Sequence, residues 1–156
     1  MIKVGDKIPS SSITVITQDN QETISAADFF AHKKAVLFAL PGAFTPTCSE
    51  AHLPGFVVKF DDIRAKGVDV VACLSVNDSF VMKAWQTAQN AENLVMIADG
   101  GAALTKELGL VLDTADFGGV RSQRYSMVID NGVITHLNVE SGGFEVSDAD
   151  TILSQL

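Results

Sequence analysis

Basic residues are scarce in this sequence, and their scarcity excludes one class of partner. Eleven lysines and arginines stand against nineteen aspartates and glutamates among 156 residues, which gives a formal net charge of −8. Only three of the eleven basic residues are arginines. Because proteins bind the phosphate backbone of nucleic acids through clustered Lys and Arg, we expect no nucleic-acid partner.

Long apolar runs and biased tracts are also missing. No apolar run reaches the ~18 residues that a membrane-spanning helix requires, so we expect no membrane association. Four prolines and twelve glycines without a repeat do not fit a fibrous chain, whereas 47% apolar residues are enough for a core. The start, MIKVGDKIPSS, lacks the pattern of a secretory signal. The sequence therefore predicts one globular domain over residues 1–156, located in the cytoplasm.

There are only two cysteines, Cys48 and Cys73, and they do not form a C-x-x-C motif. In a reducing compartment such a pair is typical of free thiols rather than of a structural disulfide. Cys73 lies in the middle of the apolar run 68–76, which favours burial in the core. The alternative is that Cys73 reacts with an oxidised Cys48, within the chain or across a dimer.

The pattern of apolar residues predicts alternating strands and helices. The runs 35–40 and 68–76 are typical of buried strands, and residues 47–66 between them carry apolar side chains at helical spacing. We expect Pro54 to kink this helix and Gly67 to end it. These segments predict a β-α-β unit.

A second unit and two hairpins complete the predicted fold. Helices are predicted over 79–89, 102–108 and 147–155, a strand over 94–98, and a hairpin within 13–25. Asn131 and Gly132, between two apolar runs, are a strong signal for a further hairpin. The sum is an α/β fold with a mixed central sheet and helices on both faces.

Cys48 lies in the turn between the first core strand and its helix, within PGAFTPTCSE. In α/β proteins this carboxyl edge of the sheet is where ligands bind. The helix begins either at Thr47, with Glu50 completing a capping box, or at Thr45, with Pro46 in the first helical position. Either start puts Cys48 in the first turn, where unpaired amides and the helix dipole favour the thiolate, the nucleophilic form.

Two of the three arginines, Arg121 and Arg124, fall just ahead of a predicted strand at 125–129. If this strand neighbours strand 35–40, it brings an arginine close to Cys48. Arg124 is the better candidate because it lies nearest the strand. A guanidinium would hold the thiolate charge and stabilise a departing hydroxide or alkoxide.

His52 follows Cys48 by four residues and would share its helical face. This pair is compatible with a thiol-hydrolase dyad or with two metal ligands. A metal site is disfavoured because His32 and His136 show no matching spacing. We favour a role for His52 in tuning the pocket or hydrogen-bonding the loop, and we keep the hydrolase as a rival hypothesis.

Four stretches together resemble the peroxiredoxins, and in particular their atypical type-five subfamily. They are PGAFTPTCSEAHLPGF, VACLSVNDSFVMKAW, IADG and RYSMVIDNGVITHLNVE, and the resemblance covers nearly the whole chain. It implies a thioredoxin-like fold. It also implies a thiol-dependent peroxidase that reduces hydrogen peroxide and alkyl hydroperoxides and needs no metal or cofactor.

The resemblance assigns roles by position. Cys48 would be the peroxidatic cysteine, which becomes a sulfenic acid, and its amide would help to bind the peroxide. Thr45 would orient the peroxide through hydrogen bonds to both thiolate and substrate. Arg124 would hold the charge, and Pro41 would shield the thiolate from water.

The resemblance also predicts how the enzyme is regenerated and assembled. Residues 142–156 contain no cysteine, where many relatives carry a resolving one, and we expect no fused glutaredoxin domain. We therefore expect a one-cysteine cycle with glutathione and glutaredoxin as reductants. The implied homodimer would use loops around the active site, with Phe44, Phe117 or Phe144 as an exposed apolar patch. The alternative is a peroxide sensor and redox relay that forms an intermolecular Cys48–Cys73 disulfide.

Overall fold

A seven-stranded mixed sheet forms the centre of the computed structural model, which describes every residue from Met1 to Leu156. In chain order the strands are β1 (Ser12–Ile16), β2 (Gln21–Ser25), β3 (Lys34–Ala39), β4 (Val70–Ser75), β5 (Val95–Ala98), β6 (Val111–Asp113), β7 (Val120–Ser122), β8 (Tyr125–Asp130) and β9 (Val133–Val139). The main sheet has the order β2-β1-β5-β4-β3-β8-β9, while β6 and β7 form a separate two-stranded ribbon. The central strands β3, β4 and β5 are parallel, and the outer pairings are antiparallel.

Six α-helices and one π-helical turn surround this sheet. They are α1 (Ala26–Phe30), the π-helical turn (Cys48–His52), α2 (Leu53–Val58), α3 (Phe60–Ala65), α4 (Ser79–Ala88), α5 (Ala103–Leu108) and α6 (Ala149–Gln155). The longest of them, α4, has ten residues, too few to span a lipid bilayer. Helices α1 and α5 share one core cluster with the sheet, and the others share the second, so the predicted fold class is confirmed.

Strand β3 shows why the central strands read as uninterrupted apolar runs. Val36 and Phe38 belong to one core cluster, whereas Ala35 and Leu37, the residues that alternate with them, belong to the other. All four are fully buried. Side chains alternate between the two faces of a strand, so a strand covered by helices on both sides needs an apolar residue at every position.

The segment predicted as one helix over 47–66 differs from that prediction in detail. Pro54 lies in the first turn of α2, directly after the π-helical turn, and a further break falls at Lys59. In a regular α-helix the ring of Pro54 would clash with the carbonyl four residues earlier. The π-helical turn just before it, closed by the Leu53 N–H and the Cys48 carbonyl, is wider and accommodates the ring.

The start of this segment decides between the two capping alternatives. Helical backbone begins at Pro46, and the Ser49 N–H donates to the Thr45 carbonyl at 2.9 Å. Thr47 already has helical φ and ψ of −63° and −37° and caps nothing with its side chain. The start at Thr45 with Pro46 in the first helical position is therefore correct.

Both predicted hairpins are confirmed. Strands β1 and β2 pair directly, and β8 and β9 pair across Asn131 and Gly132, whose φ angles of 50° and 78° suit a tight type I′ turn. The helix α1 and the ribbon β6–β7 were not predicted. Each is only three to five residues long, too short for apolar periodicity to stand out.

Candidate active site

The thiol of Cys48 lies at the carboxyl edge of the parallel strands, as its place in the chain predicts. The loop after β3 carries it into the π-helical turn, where its side chain is fully buried. It belongs to the core cluster on that face of the sheet. The sulfur is therefore shielded from bulk water while its backbone lies in the first turn of a helix.

Arg124 is the charged group that meets this sulfur. Its Nη2 donates to the Cys48 Sγ at 3.2 Å. The pairing of β3 with β8 produces this contact, because Ala39 lies opposite Tyr125 and Arg124 directly precedes that pair. The predicted neighbourhood of these strands is thus confirmed. Arg121 does not bond the thiol: its Nε donates to the Gly118 carbonyl at 3.0 Å, and its Nη1 lies beside Gly42 in the active-site loop.

Thr45 does not make the hydrogen bond to the thiol that was expected of it. Its Oγ1 donates to the Gly42 carbonyl at 2.7 Å, within the active-site loop. A hydroxyl has one proton to donate, so while this bond is present the Thr45 hydroxyl can only accept further hydrogen bonds. Thr45 therefore stabilises the loop ahead of Cys48 in this structure.

A cavity of about 570 Å³ opens beside the buried thiol. It is lined by Pro41, Thr47, Leu112, Gln123, Arg124, Glu140 and residues 141–144. Cys48 itself is not in the wall, and Arg124 connects the cavity with the sulfur. Pro41 lines this cavity, and its shielding of the thiol stays a prediction.

His52 contacts Arg124 rather than Cys48. Arg124 Nη1 donates to His52 Nδ1 at 2.8 Å, and His52 Nε2 donates to the Ser147 carbonyl at 3.0 Å. Both ring nitrogens are therefore occupied, which leaves none to accept a proton from the thiol. The hydrolase hypothesis has no supporting geometry, and His52 hydrogen-bonds the loop after β9 rather than the loop that leads to Cys48. No group of three or more His, Cys, Asp or Glu side chains could hold a metal ion.

Glu140 organises the loop that follows β9, and sequence reasoning missed it. Its carboxylate accepts hydrogen bonds from the N–H groups of Glu145, Val146 and Ser147 and from the Ser147 hydroxyl. Burial alone would raise the pKa of Glu140, but these hydrogen bonds outweigh it and lower that pKa. A glutamate ahead of Ser-Gly-Gly is the only sequence signal for this turn.

Of the three phenylalanines expected to be exposed, one is not. Phe44 and Phe117 are 57% and 88% exposed. Phe144 is half-buried because the loop of residues 140–147, called the Glu140-held loop below, folds it over the site. Its ring centroid lies 5.0 Å from that of His52 and 5.8 Å from the guanidinium carbon of Arg124.

Cys73 is packed inside the sheet, as predicted. It is fully buried on β4 opposite Phe38, and it forms no disulfide. Burial, and then the nearby Cys48, raise the pKa of its thiol. Cys73 is therefore a buried neutral thiol.

Comparisons with known proteins agree with this geometry. The model of the Redoxin family matches residues 3–153. Peroxiredoxin-2B of Arabidopsis thaliana is 48% identical over 159 residues, which cover 99% of this chain and 98% of that relative. The chain belongs to the Redoxin family and is a peroxiredoxin. Its activity is that of a thiol peroxidase.

Solved structures of peroxiredoxins share the fold. Reduced Prx3 of Vibrio vulnificus in complex with hydrogen peroxide is 58% identical, with 99% of each chain covered and a TM-score of 0.96. Peroxiredoxin 5 of Alvinella pompejana is 32% identical, with 99% and 97% covered and a TM-score of 0.86. The thioredoxin-like fold implied by the resemblance is thereby confirmed.

The buried His52 of this peroxiredoxin gives a prediction about acid stability. Burial, together with the Arg124 charge, lowers the pKa of His52 from 6.5 to about 3, although the Ser147 carbonyl and the charges of Glu140 and Asp148 act the other way. Below pH 6.5 the unfolded chain therefore takes up a proton that the folded chain excludes. The free energy of unfolding should fall by up to about 1.4 kcal/mol per pH unit as the pH drops toward 3.

Urea unfolding between pH 7 and pH 5 tests this expectation. His52→Asn, which cannot titrate, should flatten the slope over this range, and His136→Asn should not. Equal slopes in the wild type and in His52→Asn would contradict it.

Proposed function

We propose that Cys48 is the residue that reduces the peroxide, with hydrogen peroxide and alkyl hydroperoxides as substrates. The observation that carries the proposal is the hydrogen bond from Arg124 to the Cys48 sulfur at 3.2 Å in a buried site. A guanidinium at this distance can stabilise negative charge on the sulfur and on a departing oxygen. The cavity beside Arg124 supplies the route by which a peroxide reaches the sulfur.

The reaction proceeds by displacement at oxygen. The Cys48 thiolate attacks the terminal oxygen of the peroxide, an S–O bond forms, and the O–O bond breaks. The sulfur is oxidised to a sulfenic acid, and the departing hydroxide or alkoxide takes a proton to become water or an alcohol. Arg124 stabilises the negative charge as it moves from sulfur to the leaving oxygen.

Thr45 and Pro41 assist this step in the proposal. Thr45 exchanges its bond with the Gly42 carbonyl for one with the bound peroxide, which then lies in line with the sulfur. Pro41 keeps water away, because its ring offers no donor on the cavity side. The Cys48 N–H, in the first turn of the helix, holds a peroxide oxygen.

Regeneration is proposed to follow a one-cysteine cycle. Glutathione attacks the sulfenic acid, which gives a mixed disulfide and water. A second thiol, from glutaredoxin or glutathione, then takes over the disulfide and releases the Cys48 thiol. The burial of Cys73 and the lack of cysteine in residues 142–156 support a reductant from outside the chain.

The same proposal includes the subfamily, the oligomeric state and the cellular location of this peroxiredoxin. The similarity to a peroxiredoxin 5 supports the type-five subfamily. Exposed Phe44 and Phe117 support a homodimer that forms through loops near the active site. The free state of both cysteines is in keeping with a reducing compartment, which supports a cytoplasmic location.

A coupled assay tests the cycle. NADPH oxidation is followed with glutathione reductase, glutathione, a glutaredoxin and either hydrogen peroxide or an alkyl hydroperoxide. Cys73→Ala should turn over like the wild type, because Cys73 only fills space in the core. Alanine is preferred to serine here, since a buried serine would add an unpaired hydroxyl.

Two outcomes would overturn the cycle while leaving the peroxidase intact. One is turnover that is supported by thioredoxin alone. The other is turnover that needs Cys73, with disulfide-linked dimers on non-reducing gels, which would favour the sensor and relay through a Cys48–Cys73 bond.

A further inference from the structure

The guanidinium of Arg124 is held on two sides. Nη2 donates to the Cys48 sulfur at 3.2 Å, and Nη1 donates to His52 Nδ1 at 2.8 Å. An arginine side chain has many rotamers, and one hydrogen bond to a sulfur would not select a single one of them. The second bond fixes the plane of the guanidinium and thereby aims Nη2 at the sulfur.

The hydrogen bond between His52 and Ser147 determines that His52 Nδ1 accepts the hydrogen bond from Arg124. The Ser147 carbonyl can only accept, so the ring proton lies on Nε2, which donates to it at 3.0 Å. Nδ1 therefore carries the lone pair that Arg124 needs. The ring is packed against Phe38 and Phe144, whose centroids both lie 5.0 Å from it.

Glu140 holds the Ser147 carbonyl in place. Its carboxylate accepts hydrogen bonds from both the N–H and the hydroxyl of Ser147, at 2.8 Å and 2.6 Å. The Glu140 N–H also donates to the Arg124 carbonyl at 3.0 Å. A continuous chain of hydrogen bonds thus runs from Glu140 through Ser147 and His52 to Arg124.

We propose that His52 is a positioning residue, which accepts a hydrogen bond from Arg124 at Nδ1 and so directs the guanidinium at the reacting sulfur. The inference rests on the proposed roles of Cys48 and Arg124. His52 touches neither sulfur nor peroxide, and its effect passes entirely through Arg124. The Glu140-held loop supports it by fixing the tautomer.

Two substitutions separate this role from simple packing. In His52→Asn the amide oxygen takes the place of Nδ1, so the acceptor for Arg124 is kept and the bond to Ser147 is lost. In His52→Gln the amide nitrogen takes the place of Nε2, so the bond to Ser147 is kept and the acceptor is lost. Each variant gives up one hydrogen bond and the aromatic contacts, so a packing role would affect both alike.

The measured quantity is kcat/KM for hydrogen peroxide. His52→Gln should lose up to about 10²-fold, the order of loss that a misplacement of about 1 Å at a reacting centre causes, and His52→Asn should recover most of that loss. His136→Gln is the matched control, on the edge strand β9 and without a contact to Arg124, and it should behave like the wild type. Equal losses in the two His52 variants would overturn the inference.

A double-mutant cycle shows whether the effect passes through Arg124. In an Arg124→Gln background, His52→Gln should cause almost no further loss, because there is no guanidinium left to direct. An undiminished loss in that background would also overturn the inference. If Arg124→Gln alone leaves the rate unchanged, the proposed role of Arg124 fails; if it slows the reaction while His52→Gln does not, only the positioning role fails.

Discussion

Replacing Cys48 with serine is expected to abolish peroxide turnover, with a loss on the order of 10⁴-fold or more, as when the nucleophile of a covalent mechanism is removed. Serine is nearly isosteric, so the hydrogen bond from Arg124, now to oxygen, can persist. A serine hydroxyl is not ionised near neutral pH and does not attack a peroxide oxygen. The measurement is direct loss of hydrogen peroxide with excess glutathione and glutaredoxin.

The single tryptophan provides an independent readout of the same variant. The Trp85 Nε1 donates to the Ser49 Oγ at 3.1 Å, so the indole contacts the residue next to Cys48. Peroxide added to the reduced wild type should change Trp85 fluorescence as the sulfenic acid forms, and Cys48→Ser should show no change. Peroxide turnover that survives in a folded Cys48→Ser protein would refute the assignment of the nucleophile.

Replacing Arg124 with glutamine is expected to lower kcat/KM for peroxide by about 10²- to 10³-fold, the range seen when a donor aimed at developing charge is removed. The loss has two parts. The cation that favours the thiolate disappears, and so does the donor that stabilises the leaving oxygen. Glutamine is also too short to bond both the Cys48 sulfur and His52 Nδ1.

Replacing Arg124 with lysine separates the contribution of the positive charge from that of the donor geometry. An ammonium keeps the charge, but it is a point donor without the planar fork that reaches sulfur and imidazole together. Arg124→Lys should therefore recover only part of the rate. Rates are measured as peroxide-concentration series at fixed pH, with Arg64→Gln as the matched arginine control, since Arg64 bonds the Asp69 carbonyl and lies outside the site. An equal loss in Arg64→Gln would show that general charge rather than placement is responsible.

The sequence by itself determined the parts of this protein that depend on local chemistry. The apolar runs and Asn131–Gly132 predict the central strands and the hairpin correctly, because burial on two faces and a type I′ turn each demand particular residues. The same holds for Cys48. A strand, a turn with proline and a helix start in succession place that thiol at the sheet edge whatever the rest of the chain does.

Only the tertiary structure decided which partners the site residues have. Arg124 and Cys48 are 76 positions apart, and His52 and Ser147 are 95 apart, so no local pattern joins them. Helical spacing suggested that His52 faces Cys48, yet the π-helical turn and the pairing of β3 with β8 turn it to Arg124 instead. The role of Glu140 depends on the loop after β9 bringing residues 145–147 back to the Glu140 carboxylate. Such contacts follow from the packing of the whole chain, because each hydrogen bond forms only where the sheet and the loops bring donor and acceptor within reach.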